Sequence, residues 1–174
     1  VEEDKTSTRH FVNADEIARG LSPLNPDKSA IEAGRLMLSK IDQHITNRED
    51  FAFETTLASK SFVHTIKKAK KAGYNVSLIF YYLDSVQLAI ERVETRVKEG
   101  GHDIPDDVIS RRYYAGIRNL FELYMPICNY WAIFNNSTTY PEFIAMKMDD
   151  ADFRIENSII FDLIRKKAGD EKER

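Results

Sequence analysis

The sequence predicts an α/β fold in which helices cover a largely parallel sheet. Short apolar runs of strand length alternate with longer segments whose apolar residues repeat at helical spacing. The run NVSLIFYYL at 75–83 is almost continuously apolar, as is typical of a strand covered on both faces. The chain has 174 residues, 43% of them hydrophobic, and its composition does not shift along its length, so we expect one domain over 1–174.

The predicted elements follow one another in a regular order. FVNAD at 11–15 and FAFE at 51–54 each start as a short strand and end in an acid. Capping residues, glycines and prolines set the predicted helix ends. The helices are expected from Asn25-Pro26 to Arg48, from about Phe62 to Gly73, from Asp84 or Ser85 to Gly100, from Pro105 towards Tyr124, and from about Phe153 to Lys167.

Two further strands are predicted in the C-terminal half. WAIFNN at 131–136 is expected to join the sheet, and PEFIAMKM at 141–148 is expected to form an edge strand. The last helix is expected to bury Ile155, Ile159 and Leu163, which lie four residues apart.

Charge and cysteine content limit the possible functions. A net charge of −3 gives no positive field for binding nucleic acid or an anionic membrane, so neither partner is expected. The single Cys128 excludes an internal disulfide and is expected to be a packed, inert thiol. Because no N-terminal segment is apolar enough for a signal peptide, we expect a cytoplasmic protein.

Acids at two strand ends are the first candidate site. In a parallel sheet, ligands bind beyond the carboxyl ends of the strands, so Asp15 and Glu54 would converge there if their strands are neighbours. One acid could then accept a proton from a substrate hydroxyl while the other orients it. Two simpler roles stay open, because Asp15 could cap a helix starting at Glu16 and Glu54 could be a solvated strand end.

Arginines around the GGHDIP segment are the second candidate site. Guanidinium groups bind two phosphate oxygens at once, so two arginine-bearing helices could close over a polyphosphate. Surface ion pairs with nearby acids would also explain these residues. A metal site is not expected, because His102 has no second ligand at suitable spacing. The arginines are Arg92, Arg96, Arg111 and Arg112.

Four segments in this order resemble the zeta-toxin-like family of P-loop kinases: FVNADEIARGLSP, the helix with AGRLML, DFAFETTLASKSF, and RVETRVKEGGHDIPDDVISRRY. The resemblance covers residues 11–136, and a C-terminal strand and helix occupy 137–174. It implies a P-loop NTPase-like three-layer sandwich with a mainly parallel sheet. It also implies a bacterial, ATP- and Mg²⁺-dependent kinase for a small metabolite; the best known members phosphorylate UDP-N-acetylglucosamine, and an antitoxin protein is a possible partner.

The resemblance also implies roles for individual residues. Asp15 corresponds to the general base beside the acceptor hydroxyl, and the four arginines correspond to the lid over the ATP phosphates. The residues that correspond to the substrate-binding strand ends are Asn13, Glu54, Thr55 and Thr56.

One motif of the family is absent from the 174 residues: they contain no G-x-x-x-x-G-K-[ST], the loop that holds the nucleotide phosphates. In the family this loop follows a first strand that precedes the FVNAD segment. We therefore expect this chain to be a fragment of a longer kinase and to be inactive alone. The alternative is a non-catalytic module that binds a ligand or partner, and the reading frame upstream of Val1 would distinguish the two.

Overall fold

The computed structural model divides into two compact units, Val1–Thr55 and Thr56–Arg174. The prediction of a single domain therefore stays a prediction. The predicted helix start at Asn25-Pro26 and the candidate residue His102 lie outside the part of the chain that the structure describes. The described residues are 10–22, 29–99, 101, 103–148 and 152–170.

The described residues of the first unit form two strands and two helices. β1 (His10–Val12) pairs in parallel with β2 (Phe51–Phe53), and Val12 is level with Phe53. α1 (Ala14–Leu21) follows β1 directly and packs against α2 (Ala30–Asn47). One face of α2 forms the core of this unit, because its buried residues repeat at helical spacing. They are Ala33, Met37, Ile41 and Ile45.

Helix α2 ends where the sequence predicts. Arg48 adopts the left-handed conformation, with φ 58°, and the amide of Glu49 donates to the carbonyl of His44 over 3.0 Å. This reversal of the chain satisfies carbonyls of the last helical turn. It also brings the side chain of Glu49 back beside the end of the helix.

The second unit contains a four-stranded sheet in the order β3-β4-β5-β6. β3 and β4 are parallel, whereas the β4–β5 and β5–β6 pairs are antiparallel. Among the described residues, parallel pairing therefore lies within 10–135. The antiparallel pairs involve the C-terminal strands, whose short connections permit only antiparallel neighbours. The strands are β3 (Ser77–Tyr82), β4 (Tyr130–Asn135), β5 (Glu142–Met148) and β6 (Asp152–Ile155).

Four helices complete this unit, and the α/β class predicted from the sequence is confirmed. The described helices are α3 (Ser61–Lys71), α4 (Val86–Lys98), α5 (Asp106–Asn119) and α6 (Ser158–Asp170). After α5 the chain continues through a π-helical turn, Leu120–Tyr124, and a 3₁₀ turn, Met125–Ile127. Large side chains from the strands, α5, the π-helical turn and α6 are fully buried and form the core. They include Tyr82, Ile117, Leu120, Tyr124, Ile133, Ile144 and Ile164.

The C-terminal part differs from the prediction in its strands. β5 is not an edge strand, because it pairs with β4 on one side and β6 on the other. The segment from Asp152 to Ile155 is extended, although the predicted helix begins there. The reason lies at Asn157, whose side chain accepts the amide of Ile160 over 3.1 Å and so starts α6 after β6.

The buried face of α6 also differs from the prediction. Ile155, Ile159 and Leu163 are exposed, and Ile159 retains 80% of its accessible surface. The buried residues of this helix are Phe161, Ile164 and Ala168. Both sets follow helical spacing, so periodicity alone does not choose between them.

Strand β3 is not covered on both faces. Ile79 and Tyr81, which point to the same face, are 59% and 54% exposed, while Tyr82 on the other face is buried. A continuous apolar run shows that a strand is hydrophobic but does not show which of its faces is covered.

Candidate active site

The ends of β1 and β2 lie side by side, which meets the condition for Asp15 and Glu54 to share one edge of the sheet. Asn13 follows β1 and Glu54 follows β2, one position beyond the Val12–Phe53 pair. The Nδ2 of Asn13 donates to Oε2 of Glu54 over 3.1 Å, and the amide of Glu54 donates to the carbonyl of Val12 over 3.4 Å. A backbone and a side-chain hydrogen bond thus join the two strand ends.

Asn13 is also the N-cap of α1. Its Oδ1 accepts the amide of Asp15 over 2.8 Å and the amide of Glu16 over 3.3 Å. The alternative role of Asp15 as a helix cap is therefore wrong, because Asn13 makes these bonds from an extended backbone. The carboxylate of Asp15 lies in the first turn of α1 and is exposed, where the helix dipole favours its charge.

The segment after Glu54 passes from the first unit to the second between Thr55 and Thr56. Thr55 is half-buried and Thr56 is exposed. The hydroxyl of Thr56 accepts the amide of Ala58 over 3.5 Å, a local turn contact. Their predicted role in substrate binding stays a prediction.

Three residues beyond the predicted set hold the segment from Thr56 to Ser59 within the second unit. Asn119, buried in α5, donates to the carbonyls of Leu57 and Ala58 over 2.8 and 3.1 Å, and Tyr124 donates to the carbonyl of Ser59. A Cβ on Gly116 would overlap the carbonyl oxygen of Thr56. The sequence did carry a signal for one of these residues, because an asparagine inside a buried helical face needs polar partners.

The four candidate arginines lie on α4 and α5, two helices that pack against each other. Arg96, Arg111 and Arg112 are exposed. Arg92 is half-buried, and its Nη2 donates to the carbonyl of Asn136, directly after β4. Among the described residues none of these four arginines forms a salt bridge, and both of their predicted roles stay predictions.

A lysine missed by the sequence reasoning lies at the carboxyl end of β3. The Nζ of Lys167 in α6 donates to the hydroxyls of Tyr82 and Tyr113 over 2.8 and 3.2 Å, and to the carbonyl of Asp84 over 2.5 Å. Burial raises the pKa of Tyr113 well above its usual range. An ammonium has three donors and all three are used here, so Lys167 holds α6 to the sheet and has none left for a phosphate.

Together these features define an α/β protein whose polar residues collect at the carboxyl ends of two pairs of parallel strands. The chain belongs to the zeta toxin family, whose sequence model, described as "Zeta toxin", matches residues 4–125. The resemblance read from the sequence is thereby confirmed. This family consists of kinase-like proteins with the P-loop NTPase fold.

Two individual proteins extend this comparison. The chain is 33% identical over 102 residues to an uncharacterised protein of Haemophilus influenzae, and the alignment covers 59% of this chain and 73% of that protein. A solved structure from work on the PezAT chromosomal toxin-antitoxin system of Streptococcus pneumoniae superimposes with a TM-score of 0.52. The superposition covers 94% of this chain and 76% of the other chain. The sequence identity is 14%, so the comparison supports the fold alone.

Within the described ranges, no helix is both long enough and apolar enough to span a bilayer.

Proposed function

We propose that this chain carries the acceptor site and the arginine helices of an ATP- and Mg²⁺-dependent kinase, which transfers the γ-phosphoryl group to a hydroxyl of a nucleotide sugar such as UDP-N-acetylglucosamine. One observation carries the proposal. In a chain of the zeta toxin family, paired parallel strands end in Asn13 and Glu54, which are joined by a hydrogen bond, with Asp15 in the adjoining helical turn.

Each of these residues has a proposed chemical role that follows from its exposure or its contacts. The carboxylate of Asp15 is exposed, so it can accept the proton that the substrate hydroxyl loses as it attacks phosphorus. Glu54 binds hydroxyl or amide groups of the substrate, and Asn13 orients Glu54 through the 3.1 Å hydrogen bond. Thr55 and Thr56, the next two residues in the sequence, supply further polar groups.

The arginines fit the phosphates of ATP. Charge spreads over the phosphoryl oxygens during transfer, and guanidinium groups stay charged and bind two oxygens at once. Arg96, Arg111 and Arg112 present their side chains to solvent, while the contact to Asn136 fixes Arg92. The loop that holds the phosphates and Mg²⁺ in P-loop kinases is absent from these 174 residues, so we assign no step to Mg²⁺ in this chain.

A second candidate function is a kinase-derived module that binds a ligand or partner without catalysis. A protein partner of the antitoxin type is part of the proposal in either case. It is suggested by the structural neighbour, which comes from a toxin-antitoxin system.

The experiment compares the product of the complete reading frame with the 174-residue chain. Each is incubated with ATP, Mg²⁺ and UDP-N-acetylglucosamine, and ³¹P NMR and mass spectrometry detect a phosphorylated sugar. We expect transfer by a product that contains the phosphate loop and no ATP turnover by the 174-residue chain. Transfer to other hydroxyl metabolites only would disprove the nucleotide-sugar substrate, and the absence of any transfer would favour the binding module.

A further inference from the structure

Two histidines and a glutamate meet at the amino end of β1 in the first unit. The rings of His10 and His44 stack with centroids 4.7 Å apart, and Nδ1 of His44 donates to Oε2 of Glu49 over 2.8 Å. Potential ligand atoms of all three residues lie within 4.8 Å of one another. The hydrogen bond from His44 lowers the pKa of Glu49.

The fold brings together residues that are far apart in the sequence. His10 begins β1, and His44 lies in the last turn of α2, where its ring also stacks on Phe51 of β2 at 5.7 Å. The left-handed conformation of Arg48 turns the chain so that Glu49 returns beside His44. The distances within the cluster are therefore set largely by the backbone.

We propose that His10, His44 and Glu49 form a binding site for a divalent transition-metal ion of the zinc type. Two imidazoles and a carboxylate are a ligand set that zinc uses, and they leave a fourth position open. Zinc holds N and O ligands at about 2.0–2.2 Å, which separates neighbouring ligand atoms by about 3.3 Å in a tetrahedron. The ligand atoms lie within 4.8 Å of one another. To bind zinc, the exposed His10 would have to move closer, and the 2.8 Å hydrogen bond between His44 and Glu49 would have to give way to the metal.

The surroundings favour a cation bound with an anion or water. The site lies at the C-terminal end of α2, where the helix dipole is negative. His10 and His44 also line an open groove along β1, which includes Lys40 and Asn13. An ion held by the cluster can therefore take its fourth ligand from the groove, whose charged lining residues are Lys40 and Glu16.

The test is titration of the full-length protein, free of any affinity tag, with Zn²⁺ by isothermal calorimetry. Co²⁺, followed by visible absorption, serves as a second probe. We expect one Zn²⁺ at this cluster and an affinity at least tenfold weaker in His10→Ala, His44→Ala and Glu49→Gln. Mg²⁺ should not compete, because imidazole ligands do not suit it.

Matched controls distinguish this site from general surface binding. His64→Ala removes an exposed histidine of α3, and Glu32→Gln removes an exposed acid of α2; both should leave Zn²⁺ affinity unchanged. Circular dichroism checks the fold of each variant, and if His44→Ala unfolds, the more exposed His10 and Glu49 decide the result. The proposal is overturned if Zn²⁺ does not bind, or if its affinity survives both of these substitutions.

Discussion

Asn13 and Glu54 are 41 residues apart in the sequence, yet the Nδ2 of one lies 3.1 Å from the Oε2 of the other. The bond links the ends of two parallel strands at the edge where α/β proteins bind their ligands. The same asparagine caps α1 through its Oδ1. One side chain therefore starts the helix that carries Asp15 and holds the neighbouring carboxylate.

These two roles of Asn13 can be separated with two substitutions. Asn13→Ser and Asn13→Ala both remove the amide that donates to Glu54, but serine retains an N-cap oxygen. We expect both variants to bind the nucleotide sugar more weakly, and only Asn13→Ala to lose about 1 kcal/mol of stability through the cap. Urea denaturation and a binding titration measure the two effects. Unchanged binding in both variants would mean that Asn13 does not position Glu54.

Gly116 tests whether α5 holds the segment after Glu54. In Gly116→Ala the new methyl group would overlap the carbonyl oxygen of Thr56, so we expect destabilisation by about 1–3 kcal/mol, as in other overpacked sites. Gly34→Ala is the matched control, because a Cβ at that helical position meets no atom within 4 Å. It should leave stability unchanged or raise it by up to about 1 kcal/mol. Equal melting temperatures of the two variants would contradict the close approach of Gly116 to the carbonyl oxygen of Thr56.

The arginines are tested by four alanine variants in the product of the complete reading frame. If they contact ATP, at least one variant should lose about tenfold in kcat/KM, which equals about 1.4 kcal/mol of transition-state stabilisation. Arg96, Arg111 and Arg112 should keep the parental melting temperature, because they are exposed and surface arginines contribute little to stability. Full activity in all four variants would remove the arginines from the site.

Arg92 is expected to differ from the other three. Its hydrogen bond to the carbonyl of Asn136 is lost in Arg92→Ala, so this variant should also lose about 1 kcal/mol of stability. A melting temperature equal to that of Arg96→Ala would show that this contact contributes nothing to folding.

Cys128 provides a test of the second unit's packing. Burial raises the pKa of its thiol to about 11, despite the opposing charge of Lys70. The reactive thiolate is therefore scarce near neutral pH. Alkylation by iodoacetamide at pH 8 should be much slower in the folded protein than in urea, and it should accelerate as the pH approaches 11. Equal rates in the folded and unfolded chains would contradict this burial.

Local patterns predicted most of the elements and the polar residues that follow the first two strands, although Asp15 lies in α1 and the residue directly after β1 is Asn13. FVNAD and FAFE each contain an apolar run followed by a polar residue, and the structure pairs these strands. The partner of Glu54 was not predictable, because a contact over 41 positions depends on the strand register. The cluster of His10, His44 and Glu49 was missed for the same reason.

The C-terminal errors have a different physical origin. Ile155, Ile159 and Leu163 repeat at helical spacing, but the cap at Asn157 and the pairing of β6 with β5 decide where α6 begins. Tertiary pairing thus overrides a local periodicity that fits both structures. Only the fold shows that Phe161 and Ile164 face the core.

The most direct test of the central claim is the Asp15→Asn variant in the product of the complete reading frame. The carboxamide keeps the shape of the side chain but cannot take the hydroxyl proton, so kcat for phosphoryl transfer should fall by about 10²- to 10⁴-fold. Affinity for ATP should stay near its parental value, because Asp15 is assigned to the acceptor hydroxyl. The melting temperature should fall only slightly, because Asn13 caps the helix and Asp15 contributes only its charge to the first turn. A variant with near-parental kcat would contradict the assignment of Asp15 as the general base.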